Sequence, residues 1–280
     1  MTDTQAAPAP ASFFRRALQQ KRFAFGFGVT LLIVLFAILA PFFAPYTEEE
    51  TAGPPYAPDG LFGTDYIGQD VLSRLMHGGQ GVLLISVLAT LLGMVLGVLI
   101  GVVAAYAGGW WDEVIMRLND VLLAFPQILL ALVVLTALQN PASWVIVVLI
   151  GVSHAPRVAR VSRGVALGIV SRDFVVAAEA LGEKRSRVIV AEVLPNMIGP
   201  LLAEAGLRLT YSIGVVAALG FLGFAADPGA ANWGQMMNEN RLGLQTQPWA
   251  VVAPVLMIAI FTIATNLMAD GLAQASQKGD

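Results

Sequence analysis

Several long stretches of apolar residues in this sequence contain no charged side chain. A bilayer core is about 30 Å thick, and a helix needs roughly 20 apolar residues to cross it. Charged residues make up 12% of the chain, whereas about 25% is usual in soluble domains. So few charges cannot cover a water-exposed surface of this size. We therefore expect an all-α integral membrane protein.

The apolar stretches predict six transmembrane helices. The apolar region from residue 121 to residue 156 is too long for one crossing, and the polar turn Gln139-Asn140-Pro141 divides it. The predicted spans are Phe23–Thr47, Leu75–Trp111, a third from Val121 to about Leu138, a fourth from about Ala142 to Pro156, Ile198–Phe224 and Pro248–Met268.

The distribution of lysine and arginine predicts the orientation, because cytoplasmic connections carry an excess of these residues. Arg74 and Arg241 are the only two basic residues on one side, and Arg208 lies within a span. The others fall on the opposite side: Arg15, Arg16, Lys21, Arg22, Arg117, Arg157, Arg160, Arg163, Arg172, Lys184, Arg185, Arg187 and Lys278. Both termini are therefore expected to be cytoplasmic.

Composition excludes several kinds of function. The chain has no cysteine, which removes thiolate metal sites and cysteine nucleophiles, and its two histidines are far apart in the sequence. A net charge of −3 offers no basic field for nucleic acid. The sequence also has no GxxxxGK[ST] phosphate loop, so energy for any ATP-driven process must come from another chain.

The predicted connection from about Arg157 to Pro195 is long, basic and patterned. Phe174, Ala177, Ala178 and Leu181 recur at helical spacing and share one face of a short helix. Asp173 suits the start of this helix, and Gly182 suits its end. A second segment, Lys184–Val193, is predicted to stop at Leu194-Pro195. Pattern alone leaves two interpretations open, a helix on the membrane surface or a docking helix for a soluble partner.

Several motifs resemble those of a known family. The segment from residue 174 to 195, FVVAAEALGEKRSRVIVAEVLP, resembles the cytoplasmic EAA-type loop of bacterial ABC-importer permeases. One departure is that Val176 stands where the family has its leading glutamate, with Glu179 three residues further on. Other segments are similar to the subgroup that carries dipeptides, oligopeptides and nickel: residues 63–74 (GTDYIGQDVLSR), Phe125-Pro126, Leu194-Pro-Asn196, Phe221-Leu-Gly223, Asn232-Trp-Gly234 and Asp270-Gly271.

This resemblance implies a fold and a division of the chain. The fold expected is the ABC type I importer transmembrane fold, in the plasma (inner) membrane of a bacterium. Residues 1–22 would be a cytoplasmic basic tail, and 23–81 the first span with an external segment. Residues 82–272 would be the permease domain with a coupling loop at about 157–195, and 273–280 a cytoplasmic tail.

The resemblance also implies a mechanism and partners. A short coupling helix would sit in a groove of an ATPase subunit and transmit ATP-driven closure to the membrane helices. The residues expected at this contact are Asp173, Phe174, Ala177, Ala178, Glu179, Leu181, Gly182 and Arg185. A second homologous permease, two ATPase subunits, an external solute-binding protein and membrane lipid would be its partners. ATP and Mg²⁺ would be used by the ATPase chains, and this chain would bind no cofactor or metal and catalyse no reaction.

The expected cargo is a peptide-like solute, with nickel or another small solute as the alternative. A gradient-driven secondary transporter would need carboxylates within the spans, and Glu204 is almost the only one. An intramembrane enzyme would need a nucleophile and a base on one face, and the adjacent Ser153 and His154 point in different directions on a helix.

Three smaller patterns lie within the spans. Gly93, Gly97 and Gly101 form one helix face that permits close packing, more often within one chain than between subunits. Glu204 and Arg208 are four residues apart and are expected to form a structural ion pair, with a place on the solute pathway as the alternative. The arginines at 157, 160 and 163 are expected to anchor the fourth span to anionic lipid headgroups.

Overall fold

The computed structural model describes residues 17–138, 142–225 and 230–277. These residues form helices and connecting segments, with two isolated β-bridges. The predicted polar turn at Gln139-Asn140-Pro141 lies outside the described residues, as do Arg15, Arg16 and Lys278. The prediction of an all-helical membrane protein is confirmed.

The described helices vary from one turn to 29 residues in length. They are α1 (Lys21–Leu39), α2 (Val71–His77), α3 (Gly79–Ala107), α4 (Gly109–Leu123), α5 (Gln127–Ala137), α6 (Ser143–Val170), α7 (Asp173–Ala180), α8 (Arg185–Val188), α9 (Leu194–Phe221), α10 (Trp233–Asn240) and α11 (Trp249–Gln277). Short 3₁₀ turns follow α1 and α10, and a π-helical turn, Ile189–Val193, joins α8 to α9.

Five spans are single long helices, and the third predicted span is broken. The helices α1, α3, α6, α9 and α11 are long and apolar enough to cross a membrane, and α4 and α5 together make a sixth span bent by 72°. The third span was predicted to run from Val121 to about Leu138, whereas the bent pair already begins at Gly109. Pro126 lacks an N–H group and disfavours helical geometry at Phe125, so α4 ends before it and α5 begins after it.

The fourth span does not end at Pro156. The helix α6 continues to Val170, and the Asn119 side chain of α4 donates a hydrogen bond of 2.9 Å to the Pro156 carbonyl. Neighbouring helices make such an internal proline tolerable in a membrane. The connection predicted to start at Arg157 therefore starts at Ser171, and the three arginines predicted to be headgroup anchors belong to a spanning helix.

Leu194-Pro195 does not stop the preceding helix either. The Leu194 N–H donates to the Ile189 carbonyl, a five-residue spacing that widens the turn. Proline has no N–H to place in this ladder and fits the first turn of α9. The second predicted segment, Lys184–Val193, thus runs directly into the fifth span.

The core of the bundle is the close pairing of α3 with α6. Gly93, Gly97 and Gly101 all face α6 of the same chain. A Cβ atom added to them would lie 2.8 Å from His154 Cβ, 2.7 Å from the Ala155 carbonyl oxygen and 2.8 Å from the Arg163 nitrogen, respectively. The glycines therefore allow the two backbones to approach more closely than any side chain would permit.

One end of the bundle is held by a buried ion cluster, which we call the clamp: Asp65, Arg74 and Glu239. The Arg74 guanidinium lies 2.5 Å from the Asp65 carboxylate and 2.9 Å from that of Glu239. Asp65 also accepts hydrogen bonds from two backbone N–H groups of its own loop. Beside it, the fully buried indole of Trp233 donates to the Leu75 carbonyl at 2.8 Å. The clamp joins the segment before α3 to the segment before α11.

The opposite end of the bundle carries α7. The helix α6 ends next to α7, and α3 ends beside α7 because Tyr106 contacts Glu179. The start of α1 and the end of α11 also meet there, through Phe23 and Ala275. We call these two ends the clamp end and the α7 end.

Replacing Gly101 with alanine tests the α3–α6 packing. The added methyl group would press on the α6 backbone, and such overpacking typically costs about 1–3 kcal/mol. We expect the G101A variant to lose this much free energy of unfolding in a detergent denaturation series. The control is Gly164→Ala on α6, where an added Cβ meets nothing within 4 Å. Equal stability of the two variants would contradict the packing.

Candidate coupling site

The helix α7 has well-defined ends. The N–H groups of Val175 and Val176 donate to the Arg172 carbonyl, which starts the first turn. At the other end Glu183 N donates to the Ala178 carbonyl and Gly182 N to the Glu179 carbonyl. Gly182 has φ +83°, the left-handed conformation that ends many helices and that glycine adopts without strain. The sequence pattern therefore located this helix and its end correctly.

One side of α7 is anchored to the spans through Val175. This side chain is fully buried and packs in a cluster with Ile169 of α6, Val188 of α8 and Met197 of α9. Ala178, predicted to share the face of Phe174 and Leu181, is partly buried against the same cluster. Ala178 therefore lies at the border between this buried side and the surface, where it lines a shallow pocket together with Leu181.

The other side of α7 is an exposed apolar surface, which we call the docking face: Phe174, Val176, Ala177, Ala180 and Leu181. Leu181 is 85% exposed and Val176 is 55% exposed. Large apolar side chains grouped on a surface away from the spans mark an interaction site. Val176, the departure from the family pattern, thus adds apolar area to this face.

The end of α3 holds α7 through Tyr106. Its hydroxyl donates to the Glu179 carboxylate, and the Arg185 guanidinium lies 5.9 Å from the centre of its ring. This distance suits a cation–π contact. Glu179 and Arg185, both predicted at the coupling contact, therefore bind a spanning helix of their own chain. Tyr106 is 73 positions from Glu179, and no local pattern links the two residues.

Two of the three α6 arginines are paired with α4. Arg163 lies 2.5 Å from Asp112, and Arg160 lies 2.6 Å from Asp120. Their charges are balanced by carboxylates of the protein, so lipid headgroups are not needed to explain them. These pairs tie the bent third span to α6 near the α7 end.

Glu204 and Arg208 lie together on α9. Their side chains are 8% and 9% exposed, and the closest nitrogen and oxygen are 2.8 Å apart. The Arg208 guanidinium also lies 5.0 Å from the centre of the Tyr211 ring. This geometry favours the interpretation as a structural ion pair, and its role stays a prediction. Among the described residues, no group of His, Asp and Glu side chains could hold a metal ion.

A bundle of membrane spans with a short amphipathic helix at one end is the architecture of a membrane permease subunit. Residues 97–278 match the family described as the binding-protein-dependent transport system inner membrane component. Residues 11–59 match the N-terminal transmembrane domain of oligopeptide transport permease C. The chain belongs to this family of ABC-importer permeases, and it is a multi-pass protein of the plasma membrane.

Similar proteins come from several bacteria. A dipeptide transport system permease protein of Alkalihalophilus pseudofirmus is 31% identical over 94% of this chain and 87% of its own length. A di/tripeptide transport system permease protein of Pseudomonas aeruginosa is 34% identical over 96% of this chain and 92% of its own. A glutathione transport system permease protein of Escherichia coli is 34% identical over 94% of this chain and 88% of its own length.

A solved structure shows the same fold. The MetNI methionine ABC transporter in an inward-facing conformation superimposes with a TM-score of 0.59 at 18% sequence identity. The match covers 72% of this chain and 96% of the MetNI chain. The expected ABC-importer transmembrane fold is confirmed.

Removing the Tyr106 hydroxyl should loosen α7. In the Tyr106→Phe variant the ring stays beneath Arg185, but Glu179 loses its hydrogen-bond donor. Because Glu179 is exposed, we expect the free energy of local unfolding of α7 to fall by only about 1 kcal/mol. This change would be measured as roughly fivefold faster amide exchange within α7. Tyr211→Phe is the control, since the Tyr211 ring also lies beneath an arginine. If exchange in α7 were unchanged in Y106F, Tyr106 would not hold the helix.

Proposed function

We propose that this chain forms half of the membrane pathway of an importer for a peptide-like solute. The relatives with substrates in their names carry dipeptides, di- and tripeptides or glutathione, and the likeness extends over nearly the whole chain. In this proposal a second homologous permease supplies the other half. An external solute-binding protein delivers the solute at the clamp end, where the irregular segments lie.

The observation that carries the coupling part of the proposal is the docking face of α7. Its apolar side chains stand away from the spans, while Val175 and Tyr106 fix the other side of the helix to α3, α6 and α9. A groove on an ATPase subunit would cover Leu181 and its neighbours. Movement of that groove would then be transmitted to the spans through the anchored side.

The energy source belongs to the partner chains in this proposal. The sequence has no phosphate loop, so ATP and Mg²⁺ bind to two ATPase subunits, and each permease docks with one of them. The present chain changes the access of the solute without forming or breaking covalent bonds. The basic residues near α7 support a cytoplasmic position for this end, with both termini on the same side.

Single cysteines test the orientation directly, because the chain contains none of its own. Leu181 at the α7 end and Leu61 at the clamp end are 85% and 73% exposed. We expect L61C to react with a membrane-impermeant maleimide in intact spheroplasts. L181C should react only in inverted vesicles, after the ATPase subunits that would cover it have been stripped off. The reverse labelling pattern would refute the proposed orientation and, with it, the docking role of α7.

A charge on the docking face tests the coupling. Ala177→Glu places a carboxylate where an apolar contact is proposed, and burying an unpaired charge is strongly unfavourable. In proteoliposomes that contain the full complex and its binding protein, we expect ATP-driven peptide uptake to fall at least roughly tenfold, with loss of ATPase subunits on purification. The matched control is Ala142→Glu, which changes an exposed alanine at the clamp end. Normal uptake by A177E would overturn the proposal.

A further inference from the structure

The break between α4 and α5 opens onto a cleft that the coupling mechanism does not use. This cleft is small, with a volume of about 20 Å³. Its lining is mainly apolar and comes from two spans, and its polar members are Gln127, Ser153 and Arg157. Hydrocarbon does not tolerate irregular backbone such as residues 124–126, unless protein covers it or it lines a water-filled cavity. The break is therefore expected to face protein or water.

The position of Arg157 along its helix places it deep in the membrane. Its neighbour Val158 packs against Gly97, where an added Cβ would lie 2.7 Å from the Cγ1 atom of the valine. Gly97 falls near the middle of the apolar part of α3, which runs from residue 83 to residue 106. At a rise of about 1.5 Å per residue, Arg157 is more than roughly 10 Å from either end of that stretch. Lipid headgroups are therefore out of easy reach.

Arg157 differs from the other two arginines of its helix in having no counter-ion. Arg160 and Arg163 each contact a carboxylate of α4. Within residues 17–138, 142–225 and 230–277, no Asp or Glu lies within ion-pair distance of Arg157, whose side chain is exposed. A guanidinium at this depth is expensive unless it faces water or an anionic partner.

Other hydrogen-bond donors line the same cleft. The Gln127 amide nitrogen is buried and has no acceptor among the described residues. Gln127 is also the first residue of α5, and Pro126 before it provides no side-chain cap. The first N–H groups of that helix are therefore unused, and the helix dipole adds partial positive charge. The residues that line the cleft include no carboxylate.

We propose that Arg157, Gln127 and the start of α5 form a site for a carboxylate group of the transported solute on its way through the membrane. The proposal rests on the proposed function, because a peptide-like solute brings such a group. The cleft has room for only about one water molecule. The carboxylate would therefore lie at its mouth, against the exposed Arg157, while the rest of the solute stays in the pathway between the two permeases. The other source of a carboxylate for this site is a glutamate or aspartate side chain of the second permease.

The test compares two forms of one peptide, with a free C-terminal carboxylate and with a C-terminal amide. The full complex is reconstituted in proteoliposomes, and uptake is corrected for the affinity of the isolated binding protein for each form. We expect the wild-type complex to favour the carboxylate form at least roughly tenfold, as for a lost hydrogen bond to a charged group. In the Arg157→Gln variant, the ratio of carboxylate-form uptake to amide-form uptake should be close to one. The Arg157→Lys variant should keep part of the preference for the carboxylate form.

Two further variants complete the experiment. Gln127→Leu removes one donor but leaves the charge, and should lower the ratio less than R157Q does. Arg117→Gln is the matched control, because this exposed arginine on α4 lies outside the cleft, and its ratio should equal the wild-type value.

Each outcome has a distinct meaning. If the wild-type complex imports neither peptide, the proposed function fails. If it imports peptides but shows no preference, or if R157Q keeps the preference, the carboxylate site is refuted and the function stands. If R157Q instead loses the second permease during purification, Arg157 pairs with a carboxylate of that subunit, and the proposed site is again refuted.

Discussion

The structure depends on one constraint, which is that hydrocarbon offers no hydrogen-bond partner to a backbone group or a charge. It explains why the spans are helices and why irregular backbone and charged groups within them need a partner. Asn119 of α4 donates to the Pro156 carbonyl, and Pro195 lies in the first turn of α9, where a proline is tolerated. Two arginines of α6 have carboxylate partners. Arg157 and the uncapped start of α5 are unbalanced groups near the middle of the described spans, and the carboxylate of a solute would balance both.

Local patterns in the sequence predicted much of this fold. Apolar length located the spans, and the spacing of Phe174 and Leu181 with Gly182 at the end located α7, because the information for such features lies within a few neighbouring residues. The predicted helix ends were wrong where contacts with residues far along the chain determine whether a helix continues. Pro156 reads as a helix end unless Asn119 and the tight pairing with α3 are known. The connection predicted from Arg157 was too long for the same reason.

The candidate site shows the same limit. Helical spacing identified an amphipathic helix but not the direction in which it faces, since Val175 and Ala178 are as apolar as their exposed neighbours. The bond between Tyr106 and Glu179 joins residues from opposite halves of the permease. The clamp likewise unites Asp65 and Arg74 with Glu239, far along the chain. The motifs around residues 63–74 and 232–234 resembled family patterns separately, and their contact in space explains why both are needed to build one end of the bundle.

The π-helical turn between α8 and α9 sets the rotational phase between the small helices and the long span. A residue added to or removed from an α-helix turns everything before it by about 100°. The widened turn accommodates one residue more than a regular helix would at this point. If Ile189–Val193 were shortened to a regular turn, the segment that precedes it would be swung by more than a quarter of a revolution about the axis of α9. The side of that segment now turned outward would then meet a different neighbour, although no residue of the contact itself had been altered.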